Sequence, residues 1–280
     1  MTIWSVGGWR RWDSRRPLLH PRRRRRDPGS GRGQGGDHRG RGNPRRCRGH
    51  CRPVGRARRG REVDSWDSLC DHLLVLDRSI DGDAEDQIVG TYRILRHEVA
   101  MAHGGFYSGS EFRVGDLVAR HKDKRFMELG RSCVLPQYRT KRTVELLWQG
   151  CWAYALQHRI DAMFGCGSFP GTQPEEHALA LSFLQHNAVA RGEWAVDALP
   201  HLYREMDLMP SEAVNARRAL LAMPPLIKGY LRLGGVIGQG AVIDHTFGTT
   251  DVCVMVKRET IAERYLKHYE RQKSGDTEAL

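Results

Sequence analysis

From residue 62 onward the sequence predicts an α/β fold with a mixed sheet flanked by helices, and three observations carry that prediction. Composition changes abruptly there, from Arg, Gly and Pro to ordinary globular usage. Beyond the change, short apolar and β-branched runs alternate with stretches of helical period. The first two runs are separated only by turn residues, whereas the later ones are interleaved with helices.

His72–Asp77 (HLLVLD) and Ile88–Leu95 (IVGTYRIL) flank Asp81, Gly82 and Asp83, so they read as a hairpin. Arg125–Leu135 (RFMELGRSCVL) is a third strand, stopped by Pro136. In Arg142–His158, Val144, Leu147, Trp148, Cys151 and Ala155 recur at helical spacing, and Ala162–Gly167 is the next strand. Thr172 and Pro174 mark the start of a second helix over Glu175–Ala190. Farther on, Ser211–Met223 reads as helical up to Pro224 and Pro225, and Leu226–Leu233 is one more apolar element. Gly234, Gly235, Gly238 and Gly240 predict a flexible loop, Val252–Lys257 a last strand, and Glu259–Gln272 a charged terminal helix. The domain expected is 62–280.

Residues 1–61 have a different character. They hold 20 Arg and 3 Asp with no Lys or Glu, a charge of +17, which leaves −5 for residues 62–280 within the total of +12. Too few aliphatic residues are present to offset chain entropy, so disorder is expected. A solvated tail and an RG-rich RNA-binding arm are two readings of the tract. The third is translation from the wrong frame of a GC-rich gene, which accounts for the missing Lys and for aromatics that stop after Trp12. Because the basicity belongs to this tract alone, a nucleic-acid partner is not expected for the domain.

Seven Cys without paired spacing argue against a disulfide framework and for a reducing cytoplasm. Cys47 and Cys51 around His50 have no second ligand pair at zinc spacing, so no metal site is expected. No apolar run reaches the ~18 to 20 residues of a membrane span, which leaves a protein in solution or at a membrane surface.

Three clusters carry candidate chemistry. Glu62, Asp64 and Asp67 flank Trp66, an arrangement also compatible with a solvated acidic loop. Glu128 and Arg131, followed by Ser132, sit inside an apolar strand, where charges are costly unless paired, as a structural ion pair or as a functional site. Positions three apart in a regular strand face opposite ways, and Gly130 offers a bulge that brings both to one side. Arg139, Lys141, Arg142 and Thr143 open a helix behind Pro136, where backbone N–H groups and basic side chains suit a phosphate, though a solvated turn reads the same.

In order, these clusters resemble a family. A central strand ending in V-x-P-x-Y-R (Val134 to Arg139) ahead of a helix resembles the donor-binding core of GNAT acyltransferases, except that Arg142 and Val144 stand where that loop usually has small residues, which argues against plain acetyl transfer. Glu62, Asp64, Trp66 and Asp67, then Arg93, then Glu128 and Arg131 resemble the autoinducer (acyl-homoserine-lactone) synthases. The stretches CDHLLVLD, GTYRIL, ELGRSCVLPQYR, LLWQG, GCGSFPGT and PPLIKGYLRLGG, with Asp251 beyond, are more similar to the ornithine N-acyltransferase family, over roughly Glu62 to Lys257. That family's R-x-R-x-x-F helix is expected where the Arg/Gly tract stands, and its replacement implies an incomplete pocket.

The resemblance implies acyl transfer from acyl carrier protein to the α-amine of ornithine, the first step of ornithine lipid synthesis, with no cofactor beyond the donor's phosphopantetheine thioester. It also implies a cytoplasmic enzyme with peripheral contact to the inner membrane; the alternative is another acceptor, as in an acyl-homoserine-lactone synthase. In this scheme Glu128 takes the amine proton and Arg131 orients Glu128 or the donor. Glu62, Asp64, Asp67, Arg93 and Ser132 bind the acceptor, while Arg139, Lys141, Arg142 and Thr143 hold the donor.

Overall fold

The computed structural model of the protein describes residues 2–5, 11–13 and 64–261. The segment 1–61 lies outside these residues apart from two short strands, β1 (Thr2–Ser5) and β2 (Arg11–Asp13), which pair at one edge of the sheet. The terminal helix expected at Glu259–Gln272 also lies outside, beyond a single 3-10 turn at Arg258–Thr260.

The expected hairpin is present as β3 (Asp71–Leu76) and β4 (Ile88–Arg96), paired antiparallel. Between β4 and β5 (Phe126–Val134) the chain forms helices α1 (His97–Ala102) and α2 (Val114–Arg120), with a 3-10 turn at Tyr107–Ser110. Helix α3 (Lys141–Gln157) starts where Thr140 Oγ1 accepts from the Thr143 amide at 3.3 Å and leads to β6 (Ala162–Pro170). Leu147, Trp148, Cys151 and Ala155 are buried on the sheet, while the expected core residue Val144 is 43 % exposed. The helix expected from Glu175 begins as a 3-10 turn, Pro174–His177, before α4 (Ala178–Asn187). A 3-10 turn at Ser211–Ala213 and α5 (Ala216–Ala222) occupy the helix expected at Ser211–Met223, and the apolar element at Leu226–Leu233 proves to be a helix, α6 (Pro225–Arg232).

The predicted glycine loop is corrected by the structure. Gly238 and Gly240 lie inside a strand, β7 (Val236–Asp244), which pairs with β8 (Thr249–Lys257). Close packing explains them: a Cβ on Gly238 would meet the Val196 carbonyl at 2.8 Å, and Gly240, at φ 82°, lies against the Tyr203 ring. The strand register shifts between Ile237 and Ala241, so these glycines serve a bulge.

The described strands run β2-β1-β3-β4-β5-β6-β8-β7, a mixed sheet. Strand alternation sends Met127, Leu129, Val252, Val254 and Val256 to a core under α3, α4 and α6. Their neighbours Phe126, Phe164, Cys253 and Met255 go to a second core with α1, α2 and the 3-10 turn at Tyr107. That second face also carries a set of buried polar groups, Arg93, Glu128 and Asp251 among them.

Candidate active site

On β5, Phe126 faces the second core, so Glu128 two residues on faces the same way. By the same alternation Arg93 shares the face of Leu95 on β4, Cys166 that of Phe164 on β6, and Asp251 that of Cys253 on β8. The bulge proposed around Gly130 exists: Thr91 pairs with Cys133 and Arg93 with Gly130, so Arg131 and Ser132 together oppose Tyr92. Arg131 rather than Gly130 takes the left-handed backbone, at φ 50°. A non-glycine residue there costs about 1–3 kcal/mol, which surrounding contacts must offset.

Those contacts are ionic. The Arg131 guanidinium donates to Asp64 Oδ2 at 2.9 Å and lies over the Phe247 ring at 4.9 Å. Arg93, almost fully buried, donates to both Asp64 oxygens at 2.8 and 2.7 Å and to Asp67 Oδ1 at 2.8 Å. Burial opposes ionisation of Asp64, but the bonds from Arg93 and Arg131 outweigh it and hold its carboxyl below the usual range. Among the described residues, two arginines and two aspartates thus join in a single network of ion pairs.

Beside this network Glu128 is 5 % exposed. Its Oε2 accepts from the Tyr107 amide at 2.7 Å and its Oε1 from the Ser108 amide at 2.8 Å. Burial raises its pKa, and the bonds from Ser108 and Tyr107 with the charge of Arg93 compensate only in part. Glu128, Arg93, Tyr107, Gly130, Cys70 and Leu95 line a cavity of about 20 Å³, room for one water-sized molecule. From Glu128 onward β5 and β6 part company. Their parallel pairing runs Phe126↔Ala162, Met127↔Met163 and Glu128↔Phe164, although β5 continues to Val134 and β6 to Pro170.

The sequence pattern of the acetyltransferase (GNAT) domain matches residues 48–149, in keeping with this sheet and its flanking helices. Over 217 residues the chain is 69% identical to an L-ornithine N(alpha)-acyltransferase of Agrobacterium fabrum (strain C58), covering 78% of this chain and 74% of that one. Over 212 residues it is also 69% identical to an L-ornithine N(alpha)-acyltransferase of Rhizobium meliloti (strain 1021), covering 76% and 72% respectively. The chain belongs to the L-ornithine N(alpha)-acyltransferase family. A solved CoA-dependent acyl-homoserine lactone synthase, MesI, aligns over 81% of this chain and 78% of its own, at 13% identity and TM-score 0.36, too slight a likeness to bear on chemistry.

As a member of the L-ornithine N(alpha)-acyltransferase family, the protein is an acyltransferase, and its sequence-predicted residues fall in two places. Asp64, Asp67, Arg93, Glu128 and Arg131 converge around the ion network and its cavity, whereas Glu62 lies outside the described residues. Ser132 is exposed on the bulge near Tyr92. Arg139, Lys141 and Arg142 form a separate, exposed basic rim at the N-terminus of α3. Arg139 Nε donates to the Val134 carbonyl at 3.1 Å, Lys141 pairs loosely with Glu145 at 3.6 Å, and Thr143 is buried against the cap.

Several residues of the same face carried no assigned chemistry in the sequence, Asp251 having entered only as part of the family resemblance. Tyr107 supplies an amide to Glu128 and stacks beneath the Arg93 guanidinium at 5.1 Å. Glu111, Cys166 and Asp251 bring one ligand atom each to within 4.8 Å of one another. No local signal marks this set in the sequence, because strands β6 and β8 and the loop after Ser110 supply one residue apiece. Alternation along β6 and β8 was the one available clue.

Proposed function

We propose that the protein transfers a fatty acyl group, 3-hydroxylated or plain, from acyl carrier protein to the α-amine of ornithine, the first step of ornithine lipid synthesis. The acceptor is inferred from the family, and the donor and pathway are what the resemblance of the motifs implies. Work at the cytoplasmic surface of the inner membrane fits an amphiphilic product, and among the described residues no helix is long and apolar enough to cross a bilayer.

One observation carries the chemistry: Glu128 is a buried carboxylate of raised pKa at the point where β5 and β6 diverge. Acyl transfer to an amine needs a base near the operating pH and a thioester carbonyl within attack distance. Beyond Leu129, whose carbonyl still lies against Gly165, no pairing joins β5 to β6, and their facing edges suit the amide groups of a pantetheine arm lying along them. The basic rim at Arg139, Lys141 and Arg142 suits its phosphate and an acidic carrier. The amine nitrogen attacks the thioester carbon while Glu128 takes its proton, directly or through a water in the adjoining cavity. Collapse then forms the amide and expels the thiol, which regains a proton. Arg131, propped by Asp64 and Phe247, is placed to orient an oxygen of either substrate.

Glu128→Gln tests the assignment. General-base catalysis is worth roughly 10²–10⁴-fold, so turnover near neutral pH should fall by that factor and recover as pH rises and free amine accumulates. Because the substitution also weakens a bond to Tyr107 or Ser108, melting temperature is measured alongside. Turnover unchanged at neutral and high pH alike sinks the base assignment, and a loss uniform across pH marks a structural role.

A further inference from the structure

Asp64 and Asp67 are already matched by Arg93 and Arg131, so they offer little attraction to a cationic acceptor. The unmatched negative charge of the same face lies elsewhere. Glu111, Cys166 and Asp251 converge within 4.8 Å, and among the described residues no Lys or Arg pairs with either acid. Asp251 is 5 % exposed and its Oδ1 is buried without a hydrogen-bond partner, while the Ser168 and Thr249 side chains lie close enough to favour its ionised form. An orphaned buried carboxylate oxygen is costly unless a ligand completes it.

Resting on the reading of ornithine as acceptor, we propose that Glu111 and Asp251, with the Cys166 sulfur, form the subsite that binds the acceptor's side-chain ammonium and so select a diamino acid. Atoms no farther apart than these can all lie within about 3 Å of one nitrogen, the N–H···O range. A primary ammonium has three N–H donors, matching three acceptor atoms. Cys166 Sγ now donates to Glu111 Oε2 at 3.3 Å and gives way as the ammonium takes that oxygen.

Charge points the same way. Burial, then the charges of Asp251 and Asp244, lift Glu111 to about 7, and burial also lifts Asp251. A cation would relieve both. Zinc is a poor fit, because the group has one thiol, raised by burial, and no imidazole. The subsite shares a face of the sheet with the proposed base, because strand alternation turns Glu128, Cys166 and Asp251 to the same side as Phe126, Phe164 and Cys253. An acceptor whose α-amine meets Glu128 can therefore extend its side chain toward Asp251.

The test compares ornithine with norvaline, which lacks only the side-chain nitrogen, in wild type, Asp251→Asn and Glu111→Gln. Two readouts are taken: kcat/KM with an acyl carrier protein thioester, and the rise in melting temperature on adding each amino acid alone. Wild type should favour ornithine over norvaline by at least tenfold and melt higher with ornithine. Asp251→Asn should lose at least tenfold on ornithine, mainly in KM, leave norvaline unchanged, and abolish the ornithine shift; Glu111→Gln should do the same to a smaller extent. Both variants should fold with an unreduced melting temperature, since each removes an uncompensated charge. Retention of the ornithine-to-norvaline ratio and of the ornithine shift in both variants overturns the subsite. So does a wild-type melting temperature that responds to Zn²⁺ but not to ornithine. If ornithine raises the wild-type melting temperature and not that of Asp251→Asn, yet no acyl transfer occurs, the subsite stands and the proposed reaction falls.

Discussion

Glu111 illustrates how a single residue reveals what a site lacks. Its ordinary carboxyl range is left behind because burial, then the charge of Asp251, disfavours ionisation until about pH 7. The sign of the consequence comes from linkage. A carboxyl with a raised folded pKa costs the fold nothing while protonated in both states, and stability falls as pH rises from the ordinary range through about 7. Glu111→Gln, relieved of repulsion from Asp251, Asp244 and Glu128 while Cys166 stays beside it, should raise the melting temperature by a few degrees at pH 8 and by less at pH 5. An equal gain at both pH values, or a loss at pH 8, contradicts that account. Asp64 behaves in the opposite way: its carboxyl is held low by two arginines, so its contribution is present above the ordinary range and disappears only in acid.

At the scale of elements, the central strand β5 and helix α3 divide the work. The bulge at Arg131 and Ser132 turns a guanidinium toward the face that Glu128 occupies, and the parting of β5 and β6 leaves the backbone edges that the proposed function assigns to the donor. The start of α3 supplies charge at the other end. Reversing Arg139, Lys141 and Arg142 to Glu together should raise KM for an acyl carrier protein thioester at least tenfold and remove its salt sensitivity. Turnover of a short pantetheine thioester should change little, and an unchanged KM for the carrier would exclude the rim from donor binding. In β7, Gly240→Val forces a left-handed backbone into the Tyr203 ring and should cost about 1–3 kcal/mol, read as a lower denaturation midpoint. Most of these elements were legible in the sequence, since the hairpin, the strand before Pro136 and helix α3 each have a period or a stop residue. Strand β7 was not, because its glycines serve close packing against Val196 and Tyr203, which a local pattern reads as flexibility. Helices α1 and α2 were missed for a related reason: at six and seven residues they are too short to show a period.

For the whole molecule, net charge is a misleading guide. The first 61 residues carry +17 and the domain −5, so the total of +12 describes neither. Its electrostatics are organised locally instead, as a neutral arginine and aspartate network, a basic rim on α3 and an uncompensated acidic pair at Glu111 and Asp251. The rim was legible because its residues cluster in sequence; of the network, Asp64 and Asp67 cluster, Arg93 came only from the family resemblance, and the pairing of Arg131 with Asp64 was not foreseen. The acidic pair is assembled from the loop after Ser110 and strand β8, far apart in sequence, and only the folded chain reveals it. In the proposed scheme the three regions have separate roles: the basic rim receives an acidic donor, the acidic pair holds the far nitrogen of a diamino acid, and Glu128 takes the proton of the near one. The most direct measurement is the product formed when the purified chain is incubated with an acyl carrier protein thioester and ornithine, with the amide position assigned by fragmentation in a mass spectrometer. The account predicts a single product acylated on the α-nitrogen. Acylation on the side-chain nitrogen, or a mixture of the two, would contradict it.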